Sequence, residues 1–213
     1  MLKNPKILIL TLAFMVSSLT MSGCVATETV NTYPFDTAKI EYNLSGNLEG
    51  TQKVYIKGDN AIHETNAVRK ENGREVPVNL LYLELGEHLY EINLSTQEGT
   101  KARNPIYNEL KQLTKEQRTV YLTKLAVNVG EADNLPATKG EGEYAGQKCQ
   151  IYDVEDMGEI CVWSGIPLYS KLSLAGGEIE NTMTATSIEV NTDIPDNLFA
   201  VPLGVDIKDL TAL

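Results

Sequence analysis

QKCQIYDVEDMGEICVW (147–163) consists of two short apolar runs around an acidic turn, with one cysteine in each run. Alternation in QKCQIY and GEICVW marks two strands, and DVEDM between them is turn-prone. Strands joined this tightly pair antiparallel. Setting Cys149 opposite Cys161 predicts Tyr152 opposite Gly158 and a five-residue loop. Directly opposed residues lie about 4.5–5.5 Å apart at Cα, within disulfide range. A bridge closing a loop of this size stabilises by about 3 kcal/mol in the chain-entropy picture. A bonded hairpin through Cys149 and Cys161 is therefore the expectation. Two cysteines with no histidine nearby make half a metal-ligand set, so no metal is expected there.

The same alternation runs outward in both directions. Upstream, Ile40, Tyr42 and Leu44 share one face, with Glu41, Asn43 and Ser45 on the other. KVYIK (53–57) ends at Gly58-Asp59-Asn60, and AIHETNAVR (61–69) leads to Glu71-Asn72-Gly73, a hairpin-turn signal. VPVNLLYLEL (76–85) is apolar on both faces near its end, as in a central or covered strand. Gly86-Glu87 turns it into HLYEINL (88–94), and every connection is short enough to make neighbours antiparallel. Downstream lie IPLYSKLSL (166–174) and, after Gly176-Gly177, EIENTMTATSIEV (178–190). Between the two sets sits a helical insert. Asn104-Pro105 suits a helix start, and Ile106, Leu110, Leu113, Val120, Tyr121 and Leu125 fall near one stripe. Thr114 to Gln117 has capping-box spacing, so the insert reads as one helix or as two broken there. Residues 130–142 read as a polar loop. The fold class is mainly β (α+β): a curved antiparallel sheet or open half-barrel with a helical insert on one side.

The N-terminus has a different character. Met1 to Lys6 carries two lysines and no acid, and ILILTLAFMVSSLTM (7–21) is an apolar core followed by small Ser22 and Gly23. That is the layout of a secretory signal, and it is too short and interrupted for a span of about 20 apolar residues. Met21-Ser22-Gly23-Cys24 resembles a bacterial lipobox, with methionine where leucine is usual. The expected division is a lipoprotein signal peptide over 1–23, a lipid-anchored tether over 24–36 and one domain over 37–213. VATETVNTYPFD (25–36) has no apolar periodicity and could span at most about 40 Å. Acyl chains at Cys24 would hold the protein to a membrane at about 0.8 kcal/mol per buried methylene. Val25 is not the aspartate that retains many lipoproteins in the inner membrane. In a cell with two membranes the expected place is the outer one, facing the periplasm. Removing residues 1–23 removes Lys3 and Lys6, which takes the net charge from −11 to −13. Such acidity excludes binding to the phosphates of nucleic acid.

HLYEINLSTQEGTKARNP (88–105), GEYAGQKCQIY (142–152), CVWSGIPLYSKL (161–172) and ATSIEVNTDIPDNLFAVPLG (185–204) together resemble an uncharacterised family of exported bacterial lipoproteins. That family is similar to the LolA/LolB-like periplasmic lipoprotein carriers. The resemblance runs over about 38–204. It implies a strongly curved antiparallel sheet, an open half-barrel with helices covering its concave side, and acyl chains as ligand. No catalytic residues come with it.

Enzyme motifs are missing from the residues. Ser164 sits in VWSGI without the first glycine of a nucleophile elbow. His63 and His88 lie in different strands without H-E-x-x-H spacing and read as solvated strand ends. In the acidic turn, Met157 and Ser164 occupy positions where a calcium loop needs ligands. No enzyme activity, cofactor or metal is expected. Glu41-Tyr-Asn43-Leu-Ser45 and Glu91-Ile-Asn93-Leu-Ser95 both contain the N-x-S acceptor form, here read as strand alternation plus a turn-forming serine. If the concave face is a cavity, Ile40, Tyr42, Leu44, Tyr90 and Trp163 are its candidate lining. Two functions follow. One is a lipid-anchored envelope protein that binds lipid or another apolar ligand in a half-barrel cavity. The other is a non-enzymatic envelope scaffold with a filled core, whose surface meets a protein partner.

Overall fold

The computed structural model describes residues 31–71, 73–127, 135–154, 157–174 and 179–211. The leader, Cys24 and the tether as far as residue 30 lie outside the described residues. Twelve strands form one open sheet: β1 (Thr37–Gly46), β2 (Leu48–Lys57), β3 (Asn60–Glu71), β4 (Arg74–Leu85), β5 (His88–Asn93), β6 (Glu98–Arg103), β7 (Thr138–Tyr144), β8 (Gln147–Val154), β9 (Gly158–Trp163), β10 (Ile166–Leu174), β11 (Ile179–Val190) and β12 (Asp206–Asp209). Their order is β12-β6-β5-β4-β3-β2-β1-β11-β10-β9-β8-β7. Two helices, α1 (Tyr107–Gln112) and α2 (Lys115–Val127), form a minor insert between β6 and β7. Among the described residues, neither helix is long and apolar enough to cross a membrane.

Two chain halves make the sheet. β1 to β6 is a run of hairpins, and β7 to β11 is another. They join where β1 pairs with β11, Ile40 opposite Ile188. The sheet curls strongly at its β7 end. β7 and β10 are three strands apart, about 14 Å in a flat sheet. Yet Tyr144 of β7 stacks on Tyr169 of β10 with ring centroids 4.8 Å apart. The face carrying those rings and the disulfide is therefore concave.

Among the described residues, three apolar clusters hold the fold. On the concave face Ala38, Ile40, Tyr42, Val54, Ile56, Ala61, Cys149, Cys161, Ile166, Leu168 and Ala185 pack with Phe35. On the opposite face of β8 and β9, Tyr152, Val154, Ile160 and Val162 pack against Val127 of α2. On the opposite face of β3 to β5, Ile62, Leu81, Leu83 and Ile92 are covered by Phe199, Val201 and Val205 of the C-terminal segment.

Several expectations need correction. The disulfide joins Cys149 to Cys161 at a Cα separation of 5.4 Å, but the two are diagonal neighbours. Ile151 stands opposite Cys161 and Val154 opposite Gly158. The strands have slipped by two residues, which keeps every side chain on its expected face. The polar stretch 130–142 is not all loop, because Thr138–Tyr144 forms the edge strand β7. The sheet is not wholly antiparallel, because β12 pairs parallel to β6 after a long return of the chain. The insert is two helices. Thr114 Oγ1 accepts from the Gln117 N–H at 3.3 Å, and Gln117 Oε1 accepts from the Thr114 N–H at 2.9 Å. That restart resets the helical phase, so Val120 and Leu125 are exposed while Leu122 and Val127 are buried. α2 packs on Tyr152, Val154, Ile160 and Val162 of β8 and β9, and the end of the tether packs on the cluster around Ile40 and Leu168.

Candidate functional site: the concave trough

Directly paired residues on neighbouring strands share a face, so the sheet register writes out the trough row by row. The upper row runs Ile188, Ile40, Val54, His63, Tyr82 across β11, β1, β2, β3 and β4. Below it runs Ala185, Tyr42, Gln52, Thr65, Leu80. The next is Met183, Leu44, Gly50, Ala67, Val78. The upper rows are filled core near β1, and the lower rows open into a groove. Its volume is about 1010 Å³, and Leu48, Thr65, Val78, Leu80 and Ile179 line it, with Arg69 and Lys70 at the rim. Beside it β2 passes closely against β3 at Gly50. A Cβ at Gly50, whose φ is +154°, would come within 2.8 Å of the Ala67 Cβ and 2.3 Å of a backbone oxygen. The rim charges are paired, Lys70 with Glu49 at 2.6 Å and Arg69 with Glu71 at 2.7 Å. A shallower groove of about 590 Å³ continues from Leu80 over Glu91, Thr100 and Lys208.

Ionisable groups mark the boundary between the filled and open parts. His63 packs edge-on to Tyr82, with ring centroids 5.7 Å apart, and burial pulls its pKa down to about 4. Burial raises the Glu84 carboxyl above its usual range. Burial first, then the charges of Glu84 and Glu91, push the Tyr82 phenol up to about 12. His63 is thus neutral at pH 7, contrary to its reading as a solvated strand end. His88 pairs with Leu85 and Arg103 on the other face of the sheet, so the two histidines do not meet. Among the described residues no group of three or more His, Cys, Asp and Glu is placed to hold a metal ion.

Of the five candidate lining residues, Ile40, Tyr42, Leu44 and Trp163 belong to the concave face. Ile40 and Tyr42 are 0% and 3% exposed, and the Tyr42 hydroxyl donates to the Pro167 carbonyl at 3.1 Å, so both are core. Leu44 lies in the row that runs into the groove, and Trp163 packs at the margin of the core. Tyr90 is not with them; it packs beside Leu83 and Ile92 on the opposite face. The residues missed in the sequence are Leu48, Val78, Leu80 and Ile179. VPVNLLYL carried a signal for two of them, since Val78 and Leu80 alternate with the covered Leu81 and Leu83. Asn93 caps its own turn, its Oδ1 accepting from the Ser95 N–H at 2.9 Å. Cys24 lies outside the described residues.

An open, strongly curved sheet with a concave groove is the class that this geometry defines. A crystal structure of an uncharacterised conserved protein from Thermus thermophilus is similar in fold, with a TM-score of 0.51 at 9% identity over 83% of this chain and 91% of that one. The complex structure of Pseudomonas aeruginosa MucA/MucB aligns at 0.39 and 12% identity, over 78% of this chain and 56% of that one. LprF from Mycobacterium bovis aligns at 0.32 and 9%, over 78% and 90%. The likeness to the Thermus protein is one of fold alone. No protein-family model matches the chain. No curated protein matches it in sequence.

Proposed function

We propose that this chain is a non-enzymatic envelope lipoprotein, anchored through Cys24, that holds an acyl chain or similar apolar ligand in its concave trough. This is the role of the LolA/LolB-like carriers that its sequence resembles. The observation that carries the reading is the groove of about 1010 Å³, with Leu48, Val78, Leu80 and Ile179 as its apolar wall and Asn47, Thr65, Arg69, Lys70, Glu71 and Asn181 as its polar part. Its size is that of a ligand site, and burial against its apolar wall favours a chain there. The membrane it faces in a two-membrane cell is the outer one, by the residue after Cys24. Residues 25–213 should bind a fluorescent fatty-acid probe, and lipid extracted from them should contain acyl chains. Leu80→Asp should weaken the probe by about tenfold or more while the half-exposed site keeps the fold.

A scaffold with a filled core is the second reading. The bonded Tyr42 hydroxyl and the closed packing around Ile40 favour it for the upper half of the trough. A well-folded wild-type domain that binds no probe would decide for the scaffold.

A further inference from the structure

The end of the expected tether is folded into the trough. Residues 31–36 belong to no strand, yet Phe35 is 9% exposed and sits between Tyr33 and Trp163. The three rings stack nearly parallel, with centroids 5.7 Å and 5.6 Å apart. Beneath them lies the apolar surface of Ile40, Tyr42, Ile56 and Leu168. The backbone of this segment is tied to Gly58 on both sides, and the Asp36 N–H donates to Asn191 Oδ1 at 3.4 Å. The Thr32 N–H donates to the Gly58 carbonyl at 3.1 Å, and the Gly58 N–H donates to the Asp36 carbonyl at 3.0 Å. Arg118 of α2 also donates to the Asn31 carbonyl. The segment is thus held by two inserted rings and a handful of hydrogen bonds, at the closed end of a face whose other end is an open groove.

From this geometry we propose that Tyr33-Pro34-Phe35 is a removable plug, and that an acyl chain entering the trough displaces it and takes the slot against Trp163. The inference rests on the reading of the trough as a ligand site. Withdrawing the plug alone would expose Ile40, Ile56 and Leu168 to water, so it leaves only in exchange for another apolar group. Competition of this kind lowers the apparent affinity by the fraction of molecules that are open. A force on the chain before Asn31 acts directly on the plug, so the segment that leads to Cys24 is also the one that closes the site.

The test uses the full-length protein in phosphatidylcholine nanodiscs with a photoreactive, diazirine-bearing palmitate. Amide hydrogen exchange is followed at Thr32 and Gly58. Saturating palmitate should cross-link to the peptides holding Ile40 or Trp163 and speed exchange at both amides by about tenfold or more. Tyr33→Ser/Phe35→Ser should bind it about tenfold more tightly than wild type. Cross-linking within the trough with unchanged exchange at Thr32 and Gly58 would overturn the plug and leave the ligand site standing. Binding by the variant but not by wild type would support a tightly seated plug. Specific cross-linking in neither protein would overturn both readings. The exchange measurement on wild type decides the matter if the variant does not fold.

Discussion

His63 shows how a trough changes a residue. It lies mid-strand, beside Tyr82 and close to where the apolar rows give way to polar ones. Its pKa of about 4 in the folded chain compares with about 6.5 when unfolded. Above about pH 6.5 both states are neutral and stability is complete. As pH falls towards 4 the unfolded chain takes up a proton that the folded chain refuses, so stability drops, by about 3 kcal/mol at most. Glu84 acts with the opposite sign, because its raised carboxyl loses its burial cost as it protonates. Comparing wild type with His63→Gln leaves the Glu84 contribution in both. The melting-temperature difference should change between pH 6.5 and 4 and be constant above; a flat difference would mean that His63 is not held neutral. Gly165 supplies a second residue-level test. Its φ is +83°, and a Cβ there would meet the Leu122 Cβ at 2.7 Å. Gly165→Ala should cost about 1–3 kcal/mol in denaturant unfolding, through the turn and the α2 contact together.

Among the elements, α2 and the cysteine hairpin are the most informative. The capping box at Thr114 and Gln117 starts α2 afresh, and Leu122 then faces the β9–β10 turn while Val120 faces solvent. Leu122→Ala should therefore cost about 2–4 kcal/mol, and Val120→Ser should stay within about 0.5 kcal/mol. A continuous stripe from Ile106 to Leu125 would give the reverse order. In the hairpin, Cys149 and Cys161 tie diagonal positions of β8 and β9 with a sequence separation of 12. Replacing both by serine should lower stability by about 3 kcal/mol in the chain-entropy picture, read as a lower denaturant midpoint. Little change in the groove at Leu80 is expected, because it lies on the other half of the sheet.

At the scale of the molecule, the apolar trough has a closed half and an open half. The closed half is filled by Phe35 and its neighbours, and the open half is walled by Val78, Leu80 and Ile179. The split reconciles the two functional readings in one structure, with a packed core and a groove on the same face. The proposed anchor is tested separately from the trough. Cys24→Ala should release the protein from the membrane fraction or leave it uncleaved, on fractionation of cells. Equal membrane retention with a correctly cut leader would exclude lipidation at Cys24 and leave the groove untouched.

The hairpins from β1 to β5 were legible because their determinants are local. Glu71-Asn72-Gly73 and Gly86-Glu87 dictate tight turns, and alternation along Ile40, Tyr42 and Leu44 shows which side is buried. The short strand β6 and the edge strands β7 and β12 were not legible, since EGTKAR, TKGEGEY and DIKD carry too few apolar residues to alternate. The hairpin register escaped because opposed and diagonal cysteines both satisfy the disulfide distance. Tyr33 and Phe35, two aromatics in a polar stretch, were the visible sign of a buried segment, but nothing local says what buries them. Sequence alone thus determined the hairpins from β1 to β5, the strands β8 to β11 and the cysteine pair. Only the tertiary structure decided where the face is full and where it is open. That outcome depends on β1 meeting β11 across more than a hundred residues, on curvature summed over many strands, and on which distant side chain reaches the concavity first.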